Sequence, residues 1–462
     1  MNAPPIVTGL CVLLLSVALP YSAMADDGRP DEDALFGGGD EESELVEAPP
    51  EQGADRAEKE LDRPFVMGGS LYLRLQSFVG YEGALLEQPL SMPSLLDLYV
   101  DARPESRVRA YASGRLNYNP TVEDGDTDLF GSPAERSSMV LDQLWIKTDI
   151  ARAVYITAGV QRIKWGASRL WNPTDFLNSR RRDPLDFFDD RTGLTMLKFH
   201  VPIESLGWNA YAIGFFEGAS TLEDVGGALR LEMVAGTAEF ALSAMAGAGK
   251  KTSFGLDLSI GLWDIDFHAE FSLTDETGVS YYEGDFDISD LANPVLPEEL
   301  YRDSFYGRVS GGFTYTFKST DTDIMILGAE YFYNPLGVSD KTLYPWLLAN
   351  GKFESFYLAQ HYAAFFWAVP SPGDWDDVSF TTSTLANLSD MSFISRLDVS
   401  LRLHRMLRME AFVMAHYGDS GGEFRPEFEV PEGLGDLVGM PIPEGTFKGP
   451  MIDFGLNLRV SM

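Results

Sequence analysis

Ile452-Asp453-Phe454-Gly455-Leu456-Asn457-Leu458-Arg459-Val460-Ser461-Met462 closes the chain. Side chains on a strand point alternately to its two faces. Ile452, Phe454, Leu456, Leu458, Val460 and Met462 therefore share one apolar face, and Asp453, Gly455, Asn457, Arg459 and Ser461 share the other. One such strand fits many folds. The same two-faced pattern, however, recurs along most of the sequence.

Leu71, Leu73 and Leu75 oppose Tyr72, Arg74 and Gln76. Val108, Ala110, Ala112 and Leu116 oppose Arg107, Arg109, Tyr111, Ser113 and Arg115. Ile265, Phe267, Ala269, Phe271 and Leu273 oppose Asp264, Asp266, His268, Glu270 and Ser272. Leu397, Val399, Leu401 and Leu403 oppose Arg396, Asp398, Ser400 and Arg402. A soluble sheet would need a second layer over every apolar face. A closed barrel in a bilayer needs none, because lipid covers the apolar face and a wet lumen takes the charges. The fold class read from this pattern is all-β, an antiparallel up-and-down transmembrane barrel.

The alternation predicts eighteen strands, at 70–79, 94–103, 107–118, 139–149, 153–163, 193–202, 207–217, 227–235, 238–248, 253–262, 265–275, 304–317, 322–333, 355–369, 377–388, 391–403, 407–418 and 450–462. Connections alternate between tight turns and long loops, the rhythm of a barrel with short inner turns and long outer loops. The long inner connection at 370–376 leaves sixteen as the other even count. Phe215, Phe216, Tyr331, Phe332, Tyr333 and Tyr417 fall near outer strand ends, and Trp208, Trp263, Phe365, Phe366 and Trp367 near inner ends. These positions predict interfacial aromatic girdles.

Three segments are expected. Residues 1–25 read as an export signal: an apolar run from Ile6 to Leu19 precedes Ala23-Met24-Ala25, a small-residue cleavage site. Residues 26–64 are rich in Asp, Glu, Gly and Pro and read as an acidic disordered periplasmic tail. Residues 65–462 form the barrel. The single cysteine, Cys11, lies within the signal, which leaves the exported chain without thiol chemistry or disulfides. A net charge of −35 argues against nucleic acid as a partner.

Chemistry-bearing motifs are few. Asp124-Gly125-Asp126-Thr127-Asp128 with Glu135 has part of a calcium-loop spacing, but Leu129 stands where the turn glycine is needed. Gly247-Ala248-Gly249-Lys250-Lys251-Thr252 lacks the phosphate-loop pattern and reads as a hairpin turn. His416 with Asp419 is the one hydrolase-like pair, and it has no nucleophile or oxyanion site in sequence range. No metal site, cofactor or enzymatic activity is expected.

The most unusual stretch is the third outer loop, 164–192. It interleaves Trp165, Trp171, Phe176, Leu170, Leu177, Leu185, Phe187 and Phe188 with charges. Loops merely dissolved in water have little use for such groups, so the loop is expected to pack on the inner wall and narrow the lumen. The constriction residues are Arg169, Arg180, Arg181, Arg182, Asp183, Asp186, Asp189, Asp190 and Arg191. Opposed charges in a constriction select solutes by charge and size. A salt-bridged network that only shapes the loop is the compatible structural reading. Expected lumen-lining residues are Arg74, Arg109, Arg115, Arg308, Arg396, Arg402, Asp266 and Glu270.

In its last strand, with Val460, Leu458, Leu456 and Phe454 at every second place from the end, the chain resembles the porin-like outer-membrane β-barrels of Gram-negative bacteria. Trp165-Gly166, Asn172-Pro173-Thr174-Asp175, Leu177-Asn178 and Arg191-Thr192-Gly193 resemble a loop of such barrels. Members of that group usually end in an aromatic residue, where this chain has Met462. The resemblance implies an outer-membrane location and contact with lipid, lipopolysaccharide and the barrel-insertion machinery. It also implies passive diffusion of small hydrophilic solutes past a constriction loop after strand five. An oligomer is compatible with it. The alternatives are a structural or adhesive barrel with cation-binding acidic loops and, after that, an outer-membrane hydrolase.

Overall fold

In a computed structural model of the chain, the C-terminal strand lies between two partners. Strand β18 (Ile452–Ser461) pairs antiparallel with β17 (Leu407–Gly418) on one side and with β1 (Phe65–Val79) on the other. The β1–β18 seam runs in unbroken register from Ser70 opposite Ser461 to Val79 opposite Ile452. The first and last strands therefore satisfy each other's backbone groups, and the sheet has no free edge. The structure describes residues 64–80, 89–105, 107–123, 135–178, 181, 191–247, 249–290, 292–318, 323–430 and 445–462. The expected signal, nearly all of the acidic tail, and 124–134 of the calcium-loop-like segment lie outside these residues.

Between the ends run β2 (Ser94–Glu105), β3 (Val108–Tyr118), β4 (Ser137–Ile150), β5 (Val154–Gln161) and β6 (Leu194–Ile203). Then come β7 (Trp208–Phe215), β8 (Gly226–Ala235), β9 (Ala238–Gly247), β10 (Lys250–Leu262) and β11 (Ile265–Asp275). The wall is completed by β12 (Phe305–Lys318), β13 (Ile324–Tyr333), β14 (His361–Pro370), β15 (Val378–Asn387) and β16 (Ser392–His404). Each strand pairs with its sequence neighbours, giving eighteen, and the two-residue Leu90–Ser91 adds a short pairing to β1. The higher of the two even counts holds because 371–377 is a true inner turn, with Ser371 N donating to Val378 O at 2.9 Å. Helix among the described residues is confined to outer loops, chiefly Tyr344–Ala349.

Inner turns are tight where the backbone can reverse without strain on the ladder. At Ile150–Ala153, Ala151 and Arg152 both adopt positive φ, 57° and 58°, and Ala153 N donates to Ile150 O at 3.0 Å. Two left-handed central residues give the turn whose twist matches that of the flanking strands. On the outer side, the expected hairpin between β9 and β10 is present, with Gly247 and Lys250 paired.

The two faces separate as the alternation predicts. Leu98, Leu141, Leu144, Ile146, Leu229, Leu242, Leu256, Leu397, Val413 and Leu456 all stand exposed on the outside of the wall. A soluble protein does not carry a contiguous apolar belt of this kind. On the inside, Arg74, Arg115, Glu270, Arg308, Glu330, Arg396, Asp398 and Glu410 are buried.

Two expectations are corrected. Phe215, Phe332 and Phe366, expected in the girdles, face inward and are at most 1% exposed. Three consecutive aromatics such as Tyr331-Phe332-Tyr333 cannot all meet lipid on a strand of period two, so the middle one turns in. Strand β14 also begins at His361 rather than 355, because the preceding residues fold into the interior: Phe356 takes a positive φ of 65° and is buried.

An arginine at Leu456, in the middle of β18, is expected to lower folding stability in lipid vesicles by about 2–4 kcal/mol, the cost of a cation at the bilayer midplane. A urea titration of the vesicle-embedded barrel measures it. A loss under about 0.5 kcal/mol would place that face in water.

Candidate functional site: a loop held inside the barrel

The third outer connection, between β5 and β6, enters the lumen over its described residues 162–178. Its hydrophobic residues bind two patches on well-separated parts of the wall. Trp165 and Leu177 join Leu194, Met196, Ile213, Phe215, Ala228 and Met245 on β6–β9. Leu170 and Trp171 join a cluster carried by β13–β17 that includes Phe332, Tyr362, Phe366, Phe412 and Met414. Trp171 is fully buried, its ring centroid 5.8 Å from that of Phe332 and 5.7 Å from that of Tyr362, and its indole N–H donates to Phe356 O at 3.0 Å. A buried indole needs such an acceptor.

Two carboxylates of the wall fasten the span between these patches. Glu270 of β11 accepts from Ser168 N (2.6 Å), Asn172 Nδ2 (3.0 Å), Thr174 N (3.1 Å) and Thr174 Oγ1 (2.7 Å). Glu330 of β13 accepts from Arg169 N (2.9 Å), Leu170 N (3.3 Å) and Trp171 N (2.7 Å). His268 Nε2 lies 3.2 Å from the same carboxylate. Both glutamates are 3% exposed or less, so these donors and not bulk water satisfy their carboxyl oxygens. Gly166 makes the approach feasible. Its φ is 109°, and a Cβ there would collide with the Glu270 carboxylate.

Asp175 ties the loop to itself. Its carboxylate accepts from Trp165 N (3.3 Å), from Asn178 Nδ2 (2.8 Å) and from Arg191 Nη1 (2.6 Å). The Asn-Pro-Thr-Asp run thus works as a unit. Asp175 N donates to Asn172 O at 3.1 Å, Thr174 faces Glu270, and Asp175 closes the base.

The expected constriction residues separate accordingly. Arg169 donates from Nε to Thr314 Oγ1 of β12 at 3.0 Å. Arg181 pairs with Glu354 at 2.9 Å and lies 4.5 Å over the Tyr357 ring. Arg191 belongs to the Asp175 base. Arg180, Arg182, Asp183, Asp186, Asp189 and Asp190 lie outside the described residues. Beside the loop is a cavity of about 580 Å3, where Arg181, Arg191, Lys250, Lys251 and Arg308 face Asp175, Glu217 and Glu276.

Among the expected lining residues, Arg115 pairs with Asp142 (2.9 Å), Arg308 with Glu276 (3.0 Å), and Arg396 with Asp398 (2.9 Å) while stacking 4.2 Å over Phe412. Arg74 lies inside, 5.7 Å from the Tyr72 ring. Arg109 binds Asp101 at 2.9 Å nearer the inner mouth. Arg402, paired with exposed Asp377 at 2.8 Å, and exposed Asp266 belong to the inner rim and not to the mid-lumen wall. Glu270 lies under the loop.

Sequence reasoning missed Glu330 and Asp142. Glu330 is the polar member of an inward row, Ile326, Glu330 and Phe332, that is otherwise apolar, so the expected polar face did not mark it. Asp142 reaches the lumen through a bulge opposite Ser113 and Gly114, which turns both Asp142 and Gln143 inward. The hydrolase-like pair does not form. His416 Nε2 lies 2.9 Å from Asp453, its Nδ1 2.8 Å from Phe424 O, and Asp419 pairs instead with Lys341. Both ring nitrogens are thus engaged. Among the described residues no cluster of three or more His, Cys, Asp or Glu side chains could hold a metal ion.

No protein-family model matches the chain, and no curated protein matches it. Solved structures do. OccAB1 of Acinetobacter baumannii superposes with a TM-score of 0.50 at 10% identity, over 86% of this chain and 96% of that one. OpdK of Pseudomonas aeruginosa, solved with vanillate, gives 0.48 at 10% identity over 86% and 98%. OccAB4 of Acinetobacter baumannii gives 0.48 at 8% identity over 87% and 98%. At such identities the likeness to OccAB1 concerns architecture: the chain has the closed eighteen-stranded barrel of a porin-like fold.

Replacing Glu330 with Ala removes the acceptor shared by three successive loop amides. At about 1.5–3 kcal/mol for a hydrogen bond to a charged group, hydrogen-exchange protection at Arg169, Leu170 and Trp171 is expected to fall by roughly tenfold to a hundredfold. Protection in β1 and β18 should stay unchanged.

Proposed function

We propose that the chain is an outer-membrane channel for passive diffusion of small hydrophilic solutes, with the inward-folded third loop as its constriction. One observation carries the reading: residues 165–177 reach from the apolar patch on β6–β9 to that on β13–β17, fastened on the way by Glu270 and Glu330. A loop so held divides the lumen, and a solute must pass beside it. The charged cavity next to the loop supplies both signs of charge and uncharged amides, suited to polar solutes and unsuited to apolar ones. The wall needs lipid outside and water at both mouths, which accords with an outer-membrane setting.

A second reading has its own support. The inner face of β13–β17 is packed with Phe332, Tyr362, Phe366, Phe412 and Met414 around Trp171, as the core of a soluble domain would be. A barrel filled in this way over part of its section could serve as a structural or adhesive element.

Planar bilayers separate the two. The channel reading expects stepwise conductance from the purified full-length protein. It also expects a larger unit conductance when Glu270 and Glu330 are both changed to Gln, because each then offers the loop one acceptor oxygen in place of two. Arg181→Ala should move the reversal potential in a salt gradient toward cation preference. A barrel that inserts and never conducts is the structural element.

A further inference from the structure

Phe424 seals the apolar side of the interior from the outer end. It is 3% exposed and packs against Phe356 (5.5 Å between centroids) and Tyr362 (6.4 Å), in the same cluster as Trp171. It is carried by an outer segment, Asp419–Pro426, that follows β17. Two contacts hold that segment down. Phe424 O receives His416 Nδ1 at 2.8 Å, while the other nitrogen of the same ring faces the Asp453 carboxylate at 2.9 Å. The neighbouring Glu423 is buried. It accepts from Tyr362 Oη at 2.6 Å, from Asn387 Nδ2 at 2.8 Å and from Phe356 N.

We propose that Asp419–Pro426 is a proton-sensitive lid: the proton on Glu423 keeps Phe424 seated in the interior, and its loss in alkaline solution lifts it. The groups around Glu423 set the sign. Asp390 accepts from Glu423 N at 2.7 Å and from Tyr344 Oη at 2.9 Å, so a second carboxylate lies beside Glu423. Burial, together with the Asp390 charge, pushes the Glu423 carboxyl up to about 8 from its ordinary 4.5. Burial and the same two carboxylates push the Tyr344 phenol up as well, so it remains a donor. Asp453 is the charged group that faces His416. Arg425 turns away, donating to Gly418 O at 2.6 Å, and Lys341 reaches only the start of the segment, at Ser420 O, 2.9 Å.

When the lid lifts, Glu423 meets water and regains its ordinary pKa. The seated form thus binds the proton more tightly. Its advantage is complete below about 4.5 and is lost as pH rises toward 8. The idea rests on the channel reading only in that a lifted lid should change conductance.

The test uses the full-length barrel in lipid. Hydrogen-exchange protection at Glu423, Phe424 and Arg425 is followed from pH 5 to 9, with the intrinsic pH dependence of exchange divided out. Protection should drop by roughly tenfold or more between pH 6 and 8, and Glu423→Gln should flatten that slope. Protection that stays constant across the range, or a slope that Glu423→Gln leaves intact, overturns the lid. If Glu423→Gln does not insert, Asp390→Asn supplies the second arm, since it removes the charge beside Glu423: a smaller drop between pH 6 and 8 supports the lid and an unaltered one overturns it. Bilayer conductance over the same range should rise where protection falls. Lost protection with no conductance at any pH keeps the lid and removes the channel.

Discussion

Every backbone N–H and C=O in the bilayer must find a partner within the protein, and the β1–β18 seam lets this chain meet that demand. Without the seam, two strands would present unpaired ladders to lipid at several kcal/mol per group. With it, each strand has an inside and an outside, and side-chain chemistry follows from which one a residue faces. The outward leucines and the inward arginines are both consequences of closure.

Closure creates a second problem within the lumen. A barrel of eighteen strands has more interior than its own side chains fill. The chain fills part of it with a loop, and a loop brings backbone polar groups that need partners. Glu270 and Glu330 provide acceptors where strands cannot. A buried carboxylate without donors is costly, and a buried loop amide without an acceptor is costly as well. Each removes the other's penalty, so wall and loop hold together as a unit. The tryptophans then fix where along the wall the loop rests.

The barrel was legible because period-two alternation is imposed directly by lipid and water. All eighteen expected strands are present, and Leu397 and Arg396 face opposite ways as their places in the alternation require. The inward packing of the third loop was legible from its surplus of tryptophan and leucine in a charged setting. What the alternation could not show is where the interior ceases to be wet. Phe332, Phe366 and Phe412 face inward against a rule that reserves that side for polar groups, because a loop distant in sequence covers them. Glu330 was hidden for the same reason. Its role depends on three amides more than 150 residues earlier in the chain, a pairing that no local pattern encodes. Asp142 needed knowledge of a register slip.

The aromatic lining of β13–β17 gives one wall two different solvents. Along β16, Ile394 is packed in protein on the inside, while Leu397, three residues on, stands against hydrocarbon. Trimming a methyl group from Leu397 leaves a gap that a lipid tail can fill. Trimming one from Ile394 leaves a void that neighbouring side chains must collapse into or leave empty. Evolutionary drift in side-chain volume should thus be free on one surface of this strand and constrained on the other, although both are equally hydrophobic.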